Sequence, residues 1–198
     1  MPHIAAFIDR DGTINKEVKH PEIVDAQGRA CSDLLSPDEL VLLPGAKEAF
    51  ALLRQHDILP IIISNQVGFA KGFFGIDVLE AIKKRLNDEL HPAGIYYCLH
   101  HEDYTGPCDC KKPKKGLLLR AATEHDIDIA KSYMVGDRRI DMQTGSDCRQ
   151  CFMVASREGE DPHAELAKLD PELQKRVVIV PSLLEAAKRI VHTIEGER

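Results

Sequence analysis

Two aspartates, Asp9 and Asp11, follow the apolar run "HIAAFI" near the start of the chain. In an extended strand, residues two positions apart point to the same side, so both carboxylates can face one point beyond the strand end. Gly12 allows the backbone to turn sharply there. Carboxylates this close repel each other, and a hard divalent cation such as Mg²⁺ would neutralise them. The pair therefore predicts a magnesium site.

Polar groups also follow three other apolar or helix-flanking segments. They are Ser64 and Asn65 after "ILPIII", Asp137 after "SYMVG", and Lys111 and Lys112 in "CDCKKPKKG". Carboxylates for a metal, together with a hydroxyl and a lysine for anionic oxygens, are the groups that phosphoryl transfer requires. Considered singly, each segment is explained as a surface turn or a helix cap. Their combination favours a phosphoryl-transfer site.

Strand-like and helix-like segments alternate along nearly the whole chain and would position these groups. Apolar runs without polar alternation predict buried parallel strands, and helical periodicity separates them. The predicted strands are 3–9, 58–65, 94–100, 132–137, 150–155 and 176–180, and the predicted helices are 45–57, 76–90, 115–126, 139–147 and 182–194. This order predicts an α/β, three-layer, Rossmann-like parallel sheet with helices on both faces, with ligands at the carboxyl ends of the strands.

Composition limits the other possibilities. The 198 residues predict a single domain, 1–198, and the 43% hydrophobic and 29% charged fractions are those of a globular protein. A formal net charge of -6 argues against a nucleic-acid partner, and no segment predicts a membrane span or a leader. A cytoplasmic monomer is therefore expected. Residues 16–40 show no clear period and predict a functional or disordered segment, whereas 158–175 predict a polar surface connection with some helix.

A cysteine-rich segment, residues 98–110, predicts a zinc-binding loop. It contains three thiols and an imidazole: Cys98, His100, Cys108 and Cys110. That set suits tetrahedral Zn²⁺ without an open position, which is a structural site. His101 is the alternative imidazole ligand, and a reduced, metal-free loop is the alternative state. Cys148 and Cys151 have no complementary pair and are expected to be buried structural thiols.

The motifs together resemble those of a known family. "DRDGT", "SNQ", the lysine before Pro113 and "GDRRID", in this order, resemble the four motifs of the haloacid dehalogenase-like phosphatases. "FIDRDGTIN", "SNQVGFAKG", "CDCKKPKKGLL" and "MVGDRRIDMQTG" resemble the branch of D-glycero-D-manno-heptose-1,7-bisphosphate 7-phosphatase and histidinol-phosphate phosphatase, and they span residues 7–145. The resemblance implies no large cap domain, and it supports the zinc loop.

The resemblance also implies roles for individual residues. Asp9 would attack phosphorus and form an aspartyl phosphate, and Asp11 would act as general acid and then general base. Mg²⁺ would be held by Asp9, Asp137 and the backbone carbonyl of Asp11. The residues expected to contact phosphate or substrate are Ser64, Asn65, Gln66, Lys111, Lys112 and Arg138.

Within the branch, the resemblance implies hydrolysis of the 7-phosphate of a heptose 1,7-bisphosphate, in the synthesis of nucleotide-activated heptose. A histidinol-phosphate phosphatase, or another phosphatase of small phosphosugars, is the first alternative. A catalytically silent module that binds zinc and a phosphosugar is the second. The chain departs from the branch at Lys111, at Val67 and in the length of the segment after Asn15. The loops that shape the pocket therefore differ, while the motifs for the chemistry are present.

Overall fold

The computed structural model describes residues 2–156 and 159–196. Its strands are β1 (Ile4–Ile8), β2 (His20–Val24), β3 (Ala30–Cys31), β4 (Ile58–Asn65), β5 (Gly94–Cys98), β6 (Tyr133–Gly136), β7 (Gln150–Val154) and β8 (Val177–Val180). Its α-helices are α1 (Ala46–Gln55), α2 (Ile76–Leu90), α3 (Glu102–Thr105), α4 (Gly116–Glu124), α5 (Arg139–Thr144), α6 (Pro162–Leu166), α7 (Pro171–Gln174) and α8 (Leu183–Glu195). Short 3₁₀ turns occupy Pro37–Glu39 and Ile129–Lys131.

Six of the strands form one parallel sheet in the order β5-β4-β1-β6-β7-β8. Strand β1 lies inside the sheet, where Phe7 is in register with Ile61 of β4 and with Met134 of β6. Consecutive strands are joined by crossovers that contain helices, as parallel pairing requires. The carboxyl ends of β1, β4 and β6 therefore lie side by side at one edge.

Helices cover both faces of the sheet, so the predicted three layers are confirmed. Ala6 and Ile8 of β1 belong to a core that includes α1, α2 and α8. Ala5 and Phe7, which point to the opposite face, belong to a core that includes α4 and α5. Because both faces are buried, the strand is apolar at every position rather than at alternate ones.

Most predicted elements occur where the sequence placed them. Strand β4 and helix α2 begin and end at the predicted residues, α8 keeps its predicted length but lies one residue later, and the others are one to three residues shorter. Helices α6 and α7 lie in the polar connection 158–175, where Asp161 and Asp170 cap them and Pro162 and Pro171 begin them. Residue 158, the first of that connection, and residue 157 before it lie outside the described part of the chain.

Residues 16–40 contain a feature that the sequence pattern did not reveal, the antiparallel hairpin β2–β3. Asp25 holds its turn, because Asp25 Oδ1 accepts hydrogen bonds from the backbone N–H groups of Gln27 at 3.0 Å and Arg29 at 2.9 Å. Strand β2 is mostly exposed, so it lacks the apolar alternation that marks a half-buried strand. In the described residues, no helix combines the length and the apolar character needed to cross a bilayer.

Candidate active site

The carboxyl end of β1 places Asp9 at the edge of the sheet. The Asp9 backbone N–H donates to the carbonyl of Val135 at 2.9 Å, which continues the pairing with β6. The chain then turns at Gly12, where φ is +85°. A Cβ at Gly12 would lie 2.4 Å from Asp137 Oδ2, so only glycine allows the turn to approach the aspartate that follows β6.

Lys112 joins two buried carboxylates in this site. Its Nζ donates to Asp9 Oδ1 at 2.5 Å and to Asp141 Oδ1 at 2.6 Å. Burial raises the pKa of Asp9 to about 6; Lys112 opposes this shift, and Asp141 and Asp11 add to it. Burial disfavours the charge on Lys112, but Asp141 and Asp9 outweigh it and hold the pKa of Lys112 above its usual value. The ammonium of Lys112 thus lies between two side chains that are shielded from water.

Asp141 is a member of the site that the sequence analysis missed. It is the third residue of α5, and its Oδ2 accepts a hydrogen bond from the Arg138 N–H at 3.0 Å, which is an ordinary capping contact. Its position in "GDRRID" therefore resembles a cap, and its complete burial is visible only in the folded chain. Oxygens of Asp9, Asp137 and Asp141 all lie within 4.8 Å of one another. This cluster of buried carboxylates fits a hard divalent cation.

Asp11 has a separate set of partners. Fully buried Arg10 donates to both of its oxygens, at 2.8 and 3.0 Å. Asn15 Nδ2 donates to Oδ1 at 3.1 Å, and Gln66 Nε2 donates to Oδ2 at 2.9 Å. Burial alone would raise the pKa of Asp11, but Arg10 outweighs it and lowers that pKa below its usual value. Arg10, which the sequence analysis also missed, therefore orients Asp11 and favours its charged form.

The end of β4 supplies the remaining predicted phosphate ligands. Gln66 Nε2 donates to Ser64 Oγ at 2.9 Å as well as to Asp11, so it links the hydroxyl to the carboxylate. The Asn65 amide contacts the backbone of Lys112 at both ends, which ties β4 to the loop that carries the lysine. In this structure Asn65 and Gln66 contact protein groups that themselves line the site.

These residues line a cleft of about 350 Å³ at the carboxyl ends of the strands. The cleft is lined by Asp9, Asp11, Ser64, Asn65, Val67, Lys111, Lys112, Arg138, Ile140 and Asp141. Three residues of the 16–40 segment, Glu17, Ser32 and Asp33, line it as well. Arg138 forms an ion pair with Glu17. Burial disfavours the charge on Arg138, yet Glu17 outweighs it and raises the pKa of Arg138. The 16–40 segment is thus a wall of the cleft.

The cysteine loop brings its four predicted ligands together. Sγ of Cys98 lies 3.8 Å from that of Cys108 and 3.2 Å from that of Cys110, and His100 Nδ1 lies 3.2 Å from Cys110 Sγ. These atoms form one cluster that could hold a metal ion. His101 is not part of it, because His101 Nδ1 accepts the Asp103 N–H and caps α3. A thiol-rich set of this size fits Zn²⁺.

Other contacts attach the cysteine loop to the hairpin β2–β3. Arg29 Nη2 lies 2.8 Å from Asp103 Oδ2, and the Tyr104 hydroxyl donates to Gln27 Oε1 at 2.6 Å. The loop therefore supports both Lys111–Lys112, which follow it, and the hairpin. Cys148 and Cys151 lie apart from this cluster and are buried, as expected from the sequence. Burial raises the pKa of Cys151 to about 12, which keeps its thiol protonated.

Comparison with known proteins agrees with this geometry. Residues 5–148 match the family model of the haloacid dehalogenase-like hydrolases. D-glycero-beta-D-manno-heptose-1,7-bisphosphate 7-phosphatase of Pasteurella multocida is 30% identical over 93% of this chain and 98% of its own length. The enzyme of the same name from Escherichia coli K12 is 34% identical over 82% of this chain and 85% of its own length.

A solved structure of an enzyme with a similar name also matches this chain. The D,D-heptose 1,7-bisphosphate phosphatase of B. bronchiseptica, complexed with magnesium and phosphate, superposes with a TM-score of 0.76. It is 27% identical, and the match covers 98% of this chain and 99% of that one. The chain belongs to the haloacid dehalogenase-like hydrolase family and is a phosphatase.

Proposed function

We propose that the protein hydrolyses the 7-phosphate of D-glycero-β-D-manno-heptose 1,7-bisphosphate through an aspartyl-phosphate intermediate. The observation that carries the proposal is the buried group of Asp9, Lys112 and Asp141, which lines a cleft. The assignment of the heptose and of its anomer is based on the relatives. They are about 30% identical over most of the chain and are named for that substrate. The product would serve the synthesis of nucleotide-activated heptose.

Asp9 is the nucleophile in this proposal. Its carboxylate attacks phosphorus in line and displaces the sugar oxygen, and water then hydrolyses the acyl phosphate. Lys112 and the Ser64 hydroxyl hold the phosphoryl oxygens. Mg²⁺, bound by Asp9, Asp137 and the Asp11 carbonyl with Asp141 beside them, would neutralise the charge that phosphate and carboxylates bring together. The buried carboxylate cluster supports this assignment.

Asp11 moves the protons. It donates one to the departing sugar oxygen and later takes one from the attacking water. Arg10 favours the carboxylate, which is the form that the second step requires. A phosphate dianion entering the cleft shifts the pKa of Asp11 in the opposite direction, since like charges disfavour ionisation. Phosphate binding thus favours the protonated form that the first step requires.

The remaining residues recognise the leaving group and stabilise the fold. Lys111 and Arg138 line the cleft and would attract the second phosphate of the substrate. Asn65 and Gln66 would act through the groups that they hold. The cluster Cys98, His100, Cys108 and Cys110 would bind a structural Zn²⁺. We further propose that the chain acts as one domain, as a monomer, in the cytoplasm.

Phosphate release with Mg²⁺ from a panel of substrates tests the proposal. The panel contains both anomers of heptose 1,7-bisphosphate, fructose 1,6-bisphosphate and histidinol phosphate. An advantage in kcat/KM of about 100-fold for the β anomer, equal to about 2.7 kcal/mol of transition-state discrimination, would support the assignment. Preference for histidinol phosphate, or equal slow turnover of all members, would contradict the heptose assignment. Absence of release would indicate a silent binding module.

A further inference from the structure

The 16–40 segment brings an additional carboxylate, that of Asp33, into the wall of the cleft. Asp33 follows β3, and only 8% of its surface is exposed. The nearby backbone N–H of Gly68 favours the charged form of the carboxylate and lowers its pKa, against the effect of burial. A Cβ at Gly68 would lie 2.3 Å from Asp33 Oδ2, so the glycine leaves the space that the carboxylate occupies. The 16–40 segment and the turn at Gly68, which are distant in sequence, thus pack together around this side chain.

Asp33 differs from its neighbours in its partners. The other carboxylates that line the cleft each contact a cation: Asp9 and Asp141 contact Lys112, Asp11 contacts Arg10, and Glu17 contacts Arg138. Within residues 2–156 and 159–196, Asp33 forms no ion pair. Lys71, the nearby lysine, instead lies 3.1 Å from Asp25 Oδ2. Burial therefore dominates at Asp33 and raises its pKa to about 6.

Arg10 and Lys71 lower the pKa of Asp33 from a distance, but neither forms an ion pair with it. A buried carboxylate without such a partner gains free energy from hydrogen-bond donors. Phosphate is not such a partner, because it repels a carboxylate. Hydroxyl groups donate without adding negative charge. Lys111, which also lines the cleft, supplies a cation for an anionic group. The walls are thus suited to a leaving group that presents hydroxyls to one residue and an anion to another.

We propose that Asp33 is a specificity-determining residue whose carboxylate accepts hydrogen bonds from hydroxyl groups of a sugar leaving group. The inference rests on the proposed function in that the substrate is a phosphosugar. It goes further in assigning to the 16–40 segment the recognition of the polyhydroxylated part. Asp33 does not contact the phosphoryl group, so its contribution depends on the leaving group.

The test compares Asp33→Asn and Asp33→Ala with wild type on heptose 1,7-bisphosphate, fructose 1,6-bisphosphate, histidinol phosphate and p-nitrophenyl phosphate, which has no hydroxyl groups. Asp38→Asn, in the exposed 3₁₀ turn of the same segment, is the matched control. We expect kcat/KM for the preferred sugar phosphate to fall about 10- to 100-fold in both Asp33 variants, mainly through KM. The value for p-nitrophenyl phosphate should stay within about twofold of wild type, since no hydroxyl contact is lost there.

The outcomes separate this inference from the proposed function. If wild type prefers another sugar phosphate and the Asp33 variants lose that preference, the heptose assignment fails and the inference stands. Unchanged kinetics of the variants on the preferred sugar would overturn the inference alone. An equal loss on every substrate would mean that Asp33 has a structural role, and this would also overturn the inference. A loss confined to histidinol phosphate would overturn it too, because the partner of Asp33 would then be the ammonium group of that substrate. If no sugar phosphate is preferred over p-nitrophenyl phosphate, both fail.

Discussion

The side-chain amide of Asn65 contacts the backbone of Lys112 at both of its ends. Asn65 Oδ1 accepts the Lys112 N–H at 2.9 Å, and Asn65 Nδ2 donates to the Lys112 carbonyl at 3.1 Å. One residue at the end of β4 thereby fixes the backbone of the loop from which the lysine reaches Asp9. The position of the lysine depends on this contact between segments 47 residues apart in sequence.

Replacing Asn65 by alanine should therefore reduce activity without removing a catalytic group. Two backbone groups lose their partners, at about 1–3 kcal/mol for each one left buried, and the lysine loses its support. We expect kcat to fall about tenfold or more and the free energy of unfolding to decrease. Steady-state kinetics and urea unfolding measure the two effects. Asn87→Ala, on the exposed face of α2, is the control; a similar loss there would contradict the assignment.

Asp141→Asn should weaken magnesium binding. The change removes one of three neighbouring carboxylates but keeps an oxygen that can accept from Lys112. We expect the Mg²⁺ concentration for half-maximal activity to rise about 10- to 100-fold. Metal titrations of activity measure this, with Asp147→Asn as the control because Asp147 pairs with Lys115 at the surface. An unchanged Mg²⁺ requirement would place Asp141 outside the metal's environment.

Lys112→Met should destabilise the metal-free protein. It leaves Asp9 and Asp141 buried beside each other without the ammonium, a loss of about 3–5 kcal/mol. The loss should be largest near pH 8 and smaller near pH 5, because removal of the cation raises the pKa of Asp9 further and protonation relieves the repulsion. Urea unfolding in EDTA at several pH values tests this. Lys114→Met, about half exposed, should show no such pH dependence.

Loss of zinc should affect substrate binding more than the chemical step. Burial raises the pKa of Cys98, so metal binding must release protons, and zinc affinity should fall as the pH falls. Cys110→Ser should lower the zinc content and raise KM, because the loop supports Lys111 and the hairpin. Cys148→Ala, at a buried thiol outside the cluster, should keep its zinc. Elemental analysis of the purified proteins measures the zinc content, and steady-state kinetics measure KM and kcat.

Asp33 should destabilise the fold at neutral pH. Its pKa is raised from 3.8 to about 6, so the folded state binds its proton more tightly than the unfolded state. Stability therefore falls as the pH rises through this interval. Asp33→Asn should increase the free energy of unfolding by about 1–3 kcal/mol at pH 7–8, and the gain should vanish near pH 4. Thermal unfolding against pH, with Asp38→Asn as the control, measures this; a loss of stability at pH 8 would refute it.

The sheet could be predicted because its strands are unbroken apolar runs, which is the pattern of a strand buried on both faces. Segments 58–65 and 76–90 were both predicted with the correct ends. The hairpin β2–β3 could not be predicted in this way, since its strands are short and exposed and its turn depends on hydrogen bonds to Asp25. Helix α3 is four residues long and has no apolar face to detect.

The site residues that could be predicted are those whose side chain and position in the sequence already indicate a ligand site. Asp9, Asp11, Asp137 and Lys112 stand at strand ends or beside a turn, where polar groups suggest a ligand site. Arg10 and Asp141 look like an ordinary surface arginine and a helix cap, and only their complete burial marks them as parts of the site.

The sequence by itself determined the family, the α/β sheet and the chemical groups available to it, because residue types and local periodicity are properties of short segments. Tertiary structure alone decided the partners. It placed Lys112 between Asp9 and Asp141, set Arg10 against Asp11, and seated Asp33 on Gly68. The contacts of Lys112 and of Asp33 join residues far apart in the chain, whereas Arg10 and Asp11 are neighbours and only folding buries the arginine. The strength of all three depends on the exclusion of water, which no short segment can bring about.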